Sequence, residues 1–338
     1  MPLLLLAGRR DAATMRAMIK ALRFDHTGSL DALSLQQVAP PRPQPGEVVV
    51  EVCAAGVNPS DVKNVLGRFP YTTLPRTPGR DFAGVVVDGP AEMIGEEVWG
   101  TGKEFGFTCD GSHAERIAVP LDGIAPKPSL LTFAQAAGCG VPYTTAWDAI
   151  DRSGLSPGDG LVVIGAAGAV GRAALDLGRW CGAQVIAAVR RPQQVEQLAA
   201  EGFEAILLGE GDDLSAAVRR YYPAGADMIF DTSGAWLGPA VAALAEFGRI
   251  ATIAAPPSGR VELPLLDLYR RGGSIIGVNS LLYDSRASAA MLDRFSIAFA
   301  TGLLPPPPAP QERPLSTAVE VYRELAGGTA QKIVLTPG

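Results

Sequence analysis

The stretch GLVVIGAAGAVGRAALDLGRWCGAQVIAAVRR, residues 160–191, decides the fold. It opens on an apolar run, LVVIG (161–165), that fits a buried strand. Glycines follow at 165, 168 and 171, the pattern turns helical over 169–181, and a second apolar run, AQVIAAV, occupies 183–189. Glycines permit a tight turn and a close approach of backbone to an anion. The helix start then offers unpartnered N–H groups and the positive end of its dipole. Strand, glycine loop, helix and strand in that order predict a dinucleotide phosphate site lined by Gly165, Ala166, Ala167, Gly168, Ala169, Val170 and Gly171.

The end of the second strand bears on coenzyme choice. A carboxylate there would bond a ribose 2′-hydroxyl, but the chain reads Ala188-Val189-Arg190-Arg191-Pro192. Two guanidiniums suit a 2′-phosphate through bidentate, charge-assisted bonds. Arg190 and Arg191 therefore predict NADPH as the cofactor, the alternative being a solvated basic loop.

Outward from this segment, strands and helices keep alternating. A helix near 192–201 leads to AILL (205–208), and one near 213–222 to DMIFD (227–231). A helix near 236–246 leads to RIATI (249–253), and SIIGV (274–278) closes the series. Alternation of this kind predicts an α/β fold, with a six-stranded parallel Rossmann sheet covered by helices on both faces. Residues 18–135 read differently, as short valine-rich strands such as EVVVEV (47–52) and AGVVVDG (83–89) punctuated by Gly and Pro. That punctuation predicts a small, partly closed β-barrel. After Val278 come a helix at about 285–301, the stiff segment PPPPAP (305–310), a helix near 315–326 and a last strand, KIVL (332–335). These elements are too few for a domain of their own and are expected to return to the barrel. The expected organisation is a barrel domain of 18–138 and 280–338, a Rossmann domain of 139–279, and a disordered extension of 1–17.

Composition narrows the class. The chain has 338 residues, 47% apolar and 19% charged, with a formal net charge of −6. Basic residues do not cluster, which gives no reason to expect nucleic acid as a partner, and no stretch approaches the ~20 apolar residues that span a bilayer. Cys53, Cys109, Cys139 and Cys181 are widely spaced, without a CxxC pair, and read as reduced thiols of a cytoplasmic protein.

Several segments together resemble one superfamily. AAGVNPSD (54–61), PGRDFAGVV (78–86), GEEVWG (95–100), GVPYTTAWDAI (140–150), GAAGAVG (165–171) and DTSG (231–234) follow in the order seen in medium-chain dehydrogenase/reductases, specifically the zinc-free branch of quinone oxidoreductases. The resemblance runs from about Met18 to Leu335. It implies a GroES-like barrel, a nucleotide domain and a substrate cleft between them. Zinc-dependent relatives carry a Cys where this chain has Asn58 and a His-Glu pair where it has Arg80-Asp81, and they carry a four-Cys lobe where it offers only Cys109. A catalytic zinc needs three protein ligands and an open position, so no metal is expected.

The resemblance further implies site residues. Asn58 would lie beside the nicotinamide and hydrogen-bond a substrate or cofactor oxygen, or else bond backbone in the turn before Pro59. Thr145 would lie near the nicotinamide, or bond helix backbone. Ser233 and Asn279 would contact the cofactor, Asn279 from beyond the sixth strand. The implied activity is NADPH-driven hydride transfer to a quinone or similar conjugated carbonyl, by positioning. A 2-enoyl-thioester or enal reductase is the rival. Related enoyl reductases use a Tyr where this chain has Phe69, with Tyr71 two residues later as a substitute acid. A structural protein that binds NADPH with little turnover is the alternative of another class. His113 is expected in a pocket wall or in a structural role, with general acid as the alternative. An apolar edge strand, SIIGV, predicts a homodimer.

Overall fold

The computed structural model describes residues 18–209, 211–328 and 331–338; the extension expected over 1–17 lies outside them. The chain opens with an antiparallel ribbon of β1 (Ile19–Arg23) and β2 (Ser34–Val38). Then follow β3 (Glu47–Gly56), α1 (Pro59–Val65), β4 (Asp81–Asp88), β5 (Glu97–Gly100), β6 (Arg116–Pro120) and β7 (Ala125–Pro126). Strand β3 bends across two bulges against β4, and Gly84 permits the contact, because a Cβ there would lie 2.0 Å from the Glu51 carbonyl.

Helix α2 (Phe133–Arg152) leaves this sheet for the second. It begins at a capping box, Thr132 with Gln135, and is longer than the 140–150 stretch that marked it in the sequence. The second sheet comprises β8 (Gly160–Ile164), α3 (Ala169–Trp180), β9 (Gln184–Val189), α4 (Pro192–Ala200), β10 (Glu204–Leu207), α5 (Leu214–Arg219), β11 (Ala226–Asp231), α6 (Leu237–Ala243), β12 (Leu244–Thr252), α7 (Leu265–Arg270) and β13 (Ser274–Gly277). Its strands are all parallel and run in the order β10-β9-β8-β11-β12-β13. This is the six-stranded Rossmann sheet expected from the alternation, with the strand order reversing between β8 and β11. Ligands of such sheets bind outside the strand ends at that switch point.

Two local readings are corrected. The helix expected over 236–246 stops at Ala243, because Leu244 is fully buried and its backbone already pairs with Ala226 of β11. Helix α7 went unread because Leu265, Leu266 and Tyr269 are 64%, 50% and 64% exposed, so it has no inward apolar stripe to betray it.

The chain returns through α8 (Ser285–Ala300), β14 (Gln311–Pro314), α9 (Ala318–Ala326) and β15 (Ile333–Thr336). Strand β15 pairs with β3, setting Val334 against Gly56 and Leu335 against Ala55. The N-terminal sheet thus runs β14-β15-β3-β4-β5-β7, with β6 on the first half of β3, and forms the β-rich domain. Among the described residues no helix is long and apolar enough to cross a membrane.

Candidate functional site

The phosphate loop follows β8 directly. Gly165 holds φ +78°, and a Cβ there would lie 2.3 Å from Thr232 Oγ1. At Gly171 a Cβ would lie 2.4 Å from the Gly165 carbonyl, so helix α3 can start against the loop only because residue 171 has no side chain. Gly168 is the N-cap of α3 and no side chain caps it. The first N–H groups of the helix therefore remain available to an anion.

Beside the loop, Arg190 and Arg191 are exposed and line a recess of ≈ 240 Å³ together with Val189, Gln194 and the loop glycines. Neither guanidinium has an ion pair among the described residues. A larger cavity of ≈ 440 Å³ continues from Ala166–Ala169 past α2 to Lys332, walled on one side by Pro307–Pro310. Arg172, on the first turns of α3, adds a second cation to its lining, held by Asp176 and Glu201.

Behind Lys332, which lines the cavity, Asn58 is buried and its amide is engaged on both sides. Lys332 Nζ donates to its Oδ1 at 2.8 Å, and its Nδ2 donates to Asp81 Oδ2 at 2.8 Å. Asp81 is fully buried and also accepts the Val141 N–H at 2.9 Å, within helix α2 beside Pro142. Arg80 is buried as well. Its Nε donates to the Gly102 carbonyl at 3.0 Å, and its Nη atoms donate to Ser280 Oγ at 3.1 Å and the Ser280 carbonyl at 3.2 Å. Burial pulls the Arg80 guanidinium down from its usual value, with Asp81 and Asp61 opposing. Asp61 accepts the Asn58 N–H at 2.8 Å through Oδ2, while its Oδ1 is buried without a partner. Burial first, then the charge of Asp81, push the Asp61 carboxyl up to about 7.

This donor set does not fit a zinc ion. Where zinc-dependent relatives place ligands, the chain places an amide whose oxygen is already bonded to an ammonium, a guanidinium, and a carboxylate with both oxygens taken. The buried Arg80 guanidinium and the half-buried Lys332 ammonium would repel a divalent cation. Among the described residues no group of three or more His, Cys, Asp or Glu could hold a metal.

The structure brings some expected residues together and disperses others. Thr145 lies on α2 one turn beyond Val141, buried, with its hydroxyl unpartnered. Ser233 spends its hydroxyl locally, and Asn279 its side-chain oxygen. Ser233 Oγ donates to Asp231 Oδ1 at 2.7 Å, and Asn279 Oδ1 accepts the Leu281 N–H at 3.0 Å. Tyr71 packs with Phe69 and Phe107 on the barrel, 48% exposed, and partial burial pushes its phenol up. His113 is structural in its contacts: its ring bonds the Tyr322 hydroxyl at 2.9 Å and the Gly56 carbonyl at 3.3 Å, and burial pulls it down to about 4. Sequence reasoning missed Lys332 and Asp231. Asp231 organises the DTSG turn by accepting from Ser233, Gly234 and Trp236 backbone, which the motif itself signals. Lys332 reaches Asn58 across 274 residues, and no local pattern announces it.

Comparisons with known proteins bear on the family and the fold. The alcohol dehydrogenase GroES-like domain matches residues 44–129, and the zinc-binding dehydrogenase family matches residues 169–296. A zinc-type alcohol dehydrogenase-like protein of Schizosaccharomyces pombe is 36% identical over 293 residues, covering 84% of this chain and 86% of that one. A quinone oxidoreductase of Lama guanicoe is 28% identical, covering 96% of this chain and 99% of its own. Among solved structures, a probable oxidoreductase from Mycobacterium abscessus superposes with a TM-score of 0.78 at 32% identity, covering 95% of this chain and 99% of that one. On the fold, both family matches and the S. pombe relative, the chain belongs to the medium-chain dehydrogenase/reductase superfamily of oxidoreductases.

Proposed function

We propose that the protein is an NADPH-dependent, zinc-independent oxidoreductase that passes a hydride to a quinone or a similar conjugated carbonyl compound. The observation that carries this reading is one continuous cleft. It leads from the paired arginines beyond β9, past the uncapped start of α3, to Lys332, whose Nζ donates to Asn58 behind the cavity wall. Arg190 and Arg191 suit the 2′-phosphate, and the α3 N-terminus with Lys332 suits the diphosphate. When bound, NADPH supplies a hydride at C4 of its nicotinamide. Placement is the chain's contribution.

Of the hydroxyls on α2, Thr144 bonds helix carbonyls and Tyr143 bonds Asp176, whereas Thr145 is left for the cofactor or substrate. Ser233, with its hydroxyl engaged, would act through backbone, and Asn279 through backbone or its amide nitrogen. Tyr71 sits at the barrel surface, its phenol within reach of the Arg80 charge, the remaining candidate for a proton donor. We assign residues 18–138 and 280–338 to the barrel domain and 139–279 to the nucleotide domain. The thiols of Cys53, Cys109, Cys139 and Cys181 are all free, which suits a cytoplasmic protein.

The test is a panel of quinones, enals and enoyl thioesters offered with NADPH. Turnover confined to quinones and simple enones supports the reading. Turnover confined to thioesters, or none with any acceptor, refutes it.

A further inference from the structure

Two cations line the same ≈ 440 Å³ cavity, Lys332 from the segment before β15 and Arg172 from α3. Ala166–Ala169, which lead through the uncapped Gly168 into α3, line it as well. Arg172 directly follows Gly171, the residue whose missing side chain lets the helix begin against the loop. Its guanidinium is held by two carboxylates. Nε donates to Asp176 Oδ2 at 3.3 Å, and Nη1 pairs with Glu201 at the end of α4. Asp176 is itself fixed: its side chain is 2% exposed and accepts the Tyr143 hydroxyl of α2 at 3.3 Å. The Phe203 ring centroid lies 5.1 Å from the guanidinium carbon. A guanidinium carries five N–H donors in a rigid fork. The carboxylates engage Nε and Nη1, whereas Nη2 has no partner among the described residues, and the side chain remains 20% exposed where it lines the cavity. A fork already held in place loses little freedom when it takes an anion.

We propose that Arg172 binds the diphosphate of the coenzyme through Nη2, and that Asp176 and Glu201 are the residues that position it. The diphosphate would then meet three groups of one cavity: the N–H groups at the start of α3, Lys332 and Arg172. The site would thereby favour a dinucleotide over a mononucleotide by more than the helix end alone supplies. This rests on the reading that a dinucleotide lies over the start of α3. It does not depend on which compound accepts the hydride.

The test is calorimetry on the full chain with two ligands, NADP⁺ and adenosine 2′-monophosphate. The second keeps the 2′-phosphate and has no diphosphate. Arg172→Met keeps an apolar stem beside Phe203 and removes the charge. It should weaken NADP⁺ by about ten-fold or more, the worth of a charge-assisted bond, and leave the mononucleotide nearly unchanged. Arg172→Lys keeps a cation but cannot hold two carboxylates as a fork does, and should retain most of the NADP⁺ affinity. Glu201→Gln removes one neutralising charge behind the guanidinium and should bind NADP⁺ at least as tightly as the wild type. A residue that merely staples α3 to α4 predicts the reverse for these two variants, since each weakens the staple.

Native NADP⁺ affinity in Arg172→Met overturns the proposal, as does a loss shared equally by both ligands. So does a loss of NADP⁺ in Arg172→Lys and Glu201→Gln as large as that in Arg172→Met. A wild type that binds NADP⁺ no more tightly than the mononucleotide removes the dinucleotide reading and the proposal with it. Turnover of quinones with NADPH, beside native NADP⁺ affinity in Arg172→Met, removes the proposal alone. Arg172-dependent binding without turnover of any carbonyl compound removes the functional reading and keeps the proposal.

Discussion

At the residue scale, two side-chain environments make quantitative predictions. Arg190 stands exposed in the recess beside the phosphate loop, without an ion pair among the described residues. A charge-assisted bond to a 2′-phosphate is worth about 1.5–3 kcal/mol, or roughly 10- to 150-fold in affinity. Arg190→Ala should therefore raise the Michaelis constant for NADPH by about that factor, leave that for NADH nearly unchanged and keep turnover, since the contact is remote from the hydride. Steady-state kinetics with both coenzymes checks this, and an unaltered NADPH-to-NADH ratio in this variant, in Arg191→Ala and in the double variant would refute it. Asp61 is the second case. Folded, its carboxyl titrates at about 7, against about 3.9 in an unfolded chain. It binds its proton more tightly when folded, so its contribution to stability is full below the unfolded value and is lost as pH rises through about 7. Asn at this position can still accept the Asn58 N–H. Asp61→Asn should accordingly gain stability relative to the wild type between pH 5 and pH 8, as measured by urea unfolding at each pH. A difference that stays flat would show that Asp61 does not titrate in that window.

At the scale of elements, the phosphate loop is the part the sequence announces most clearly, because each glycine answers a steric demand. Gly171→Ala places its Cβ 2.4 Å from the Gly165 carbonyl, a backbone atom that cannot swing aside. The variant should lose about 1–3 kcal/mol of stability and bind NADPH at least ten-fold more weakly. Calorimetry and thermal unfolding would reveal both, and native affinity would show that α3 does not begin against the loop. The same directness explains why the six strands could be read. A parallel strand covered on both faces is a continuous apolar run, and β8 is buried along its whole length. Readability fails where tertiary contacts override local pattern. Leu244 leaves its helix because β11 claims its backbone. Helix α7 turns leucines and a tyrosine outward, which reverses the pattern a reader relies on. The site itself was legible in halves. The nucleotide half is one contiguous motif, whereas the clamp on Asn58 is assembled by β15 pairing with β3, and strand pairing across the whole chain leaves no trace in spacing.

At the scale of the whole molecule, the open edge of the Rossmann sheet calls for a partner. Strand β13 is terminal in the sheet, and Phe247, Leu265, Leu266 and Tyr269 in neighbouring segments are 75%, 64%, 50% and 64% exposed. Apolar surface beside an unpaired strand favours a second copy joined about a two-fold axis. Light scattering at micromolar concentration should give twice the chain mass, and Leu266→Asp with Tyr269→Asp should give the monomer. A wild type of monomer mass would refute the dimer. The larger claim is that two cations and a clamped amide stand where relatives hold zinc, in a protein built to draw hydride from NADPH. Its most direct test is the oxidation of NADPH and of NADH by the chelator-dialysed protein on addition of 9,10-phenanthrenequinone. The account predicts turnover that is undiminished by dialysis and at least ten-fold more efficient with NADPH. Turnover that appears only when zinc is restored, or that favours NADH, would contradict it.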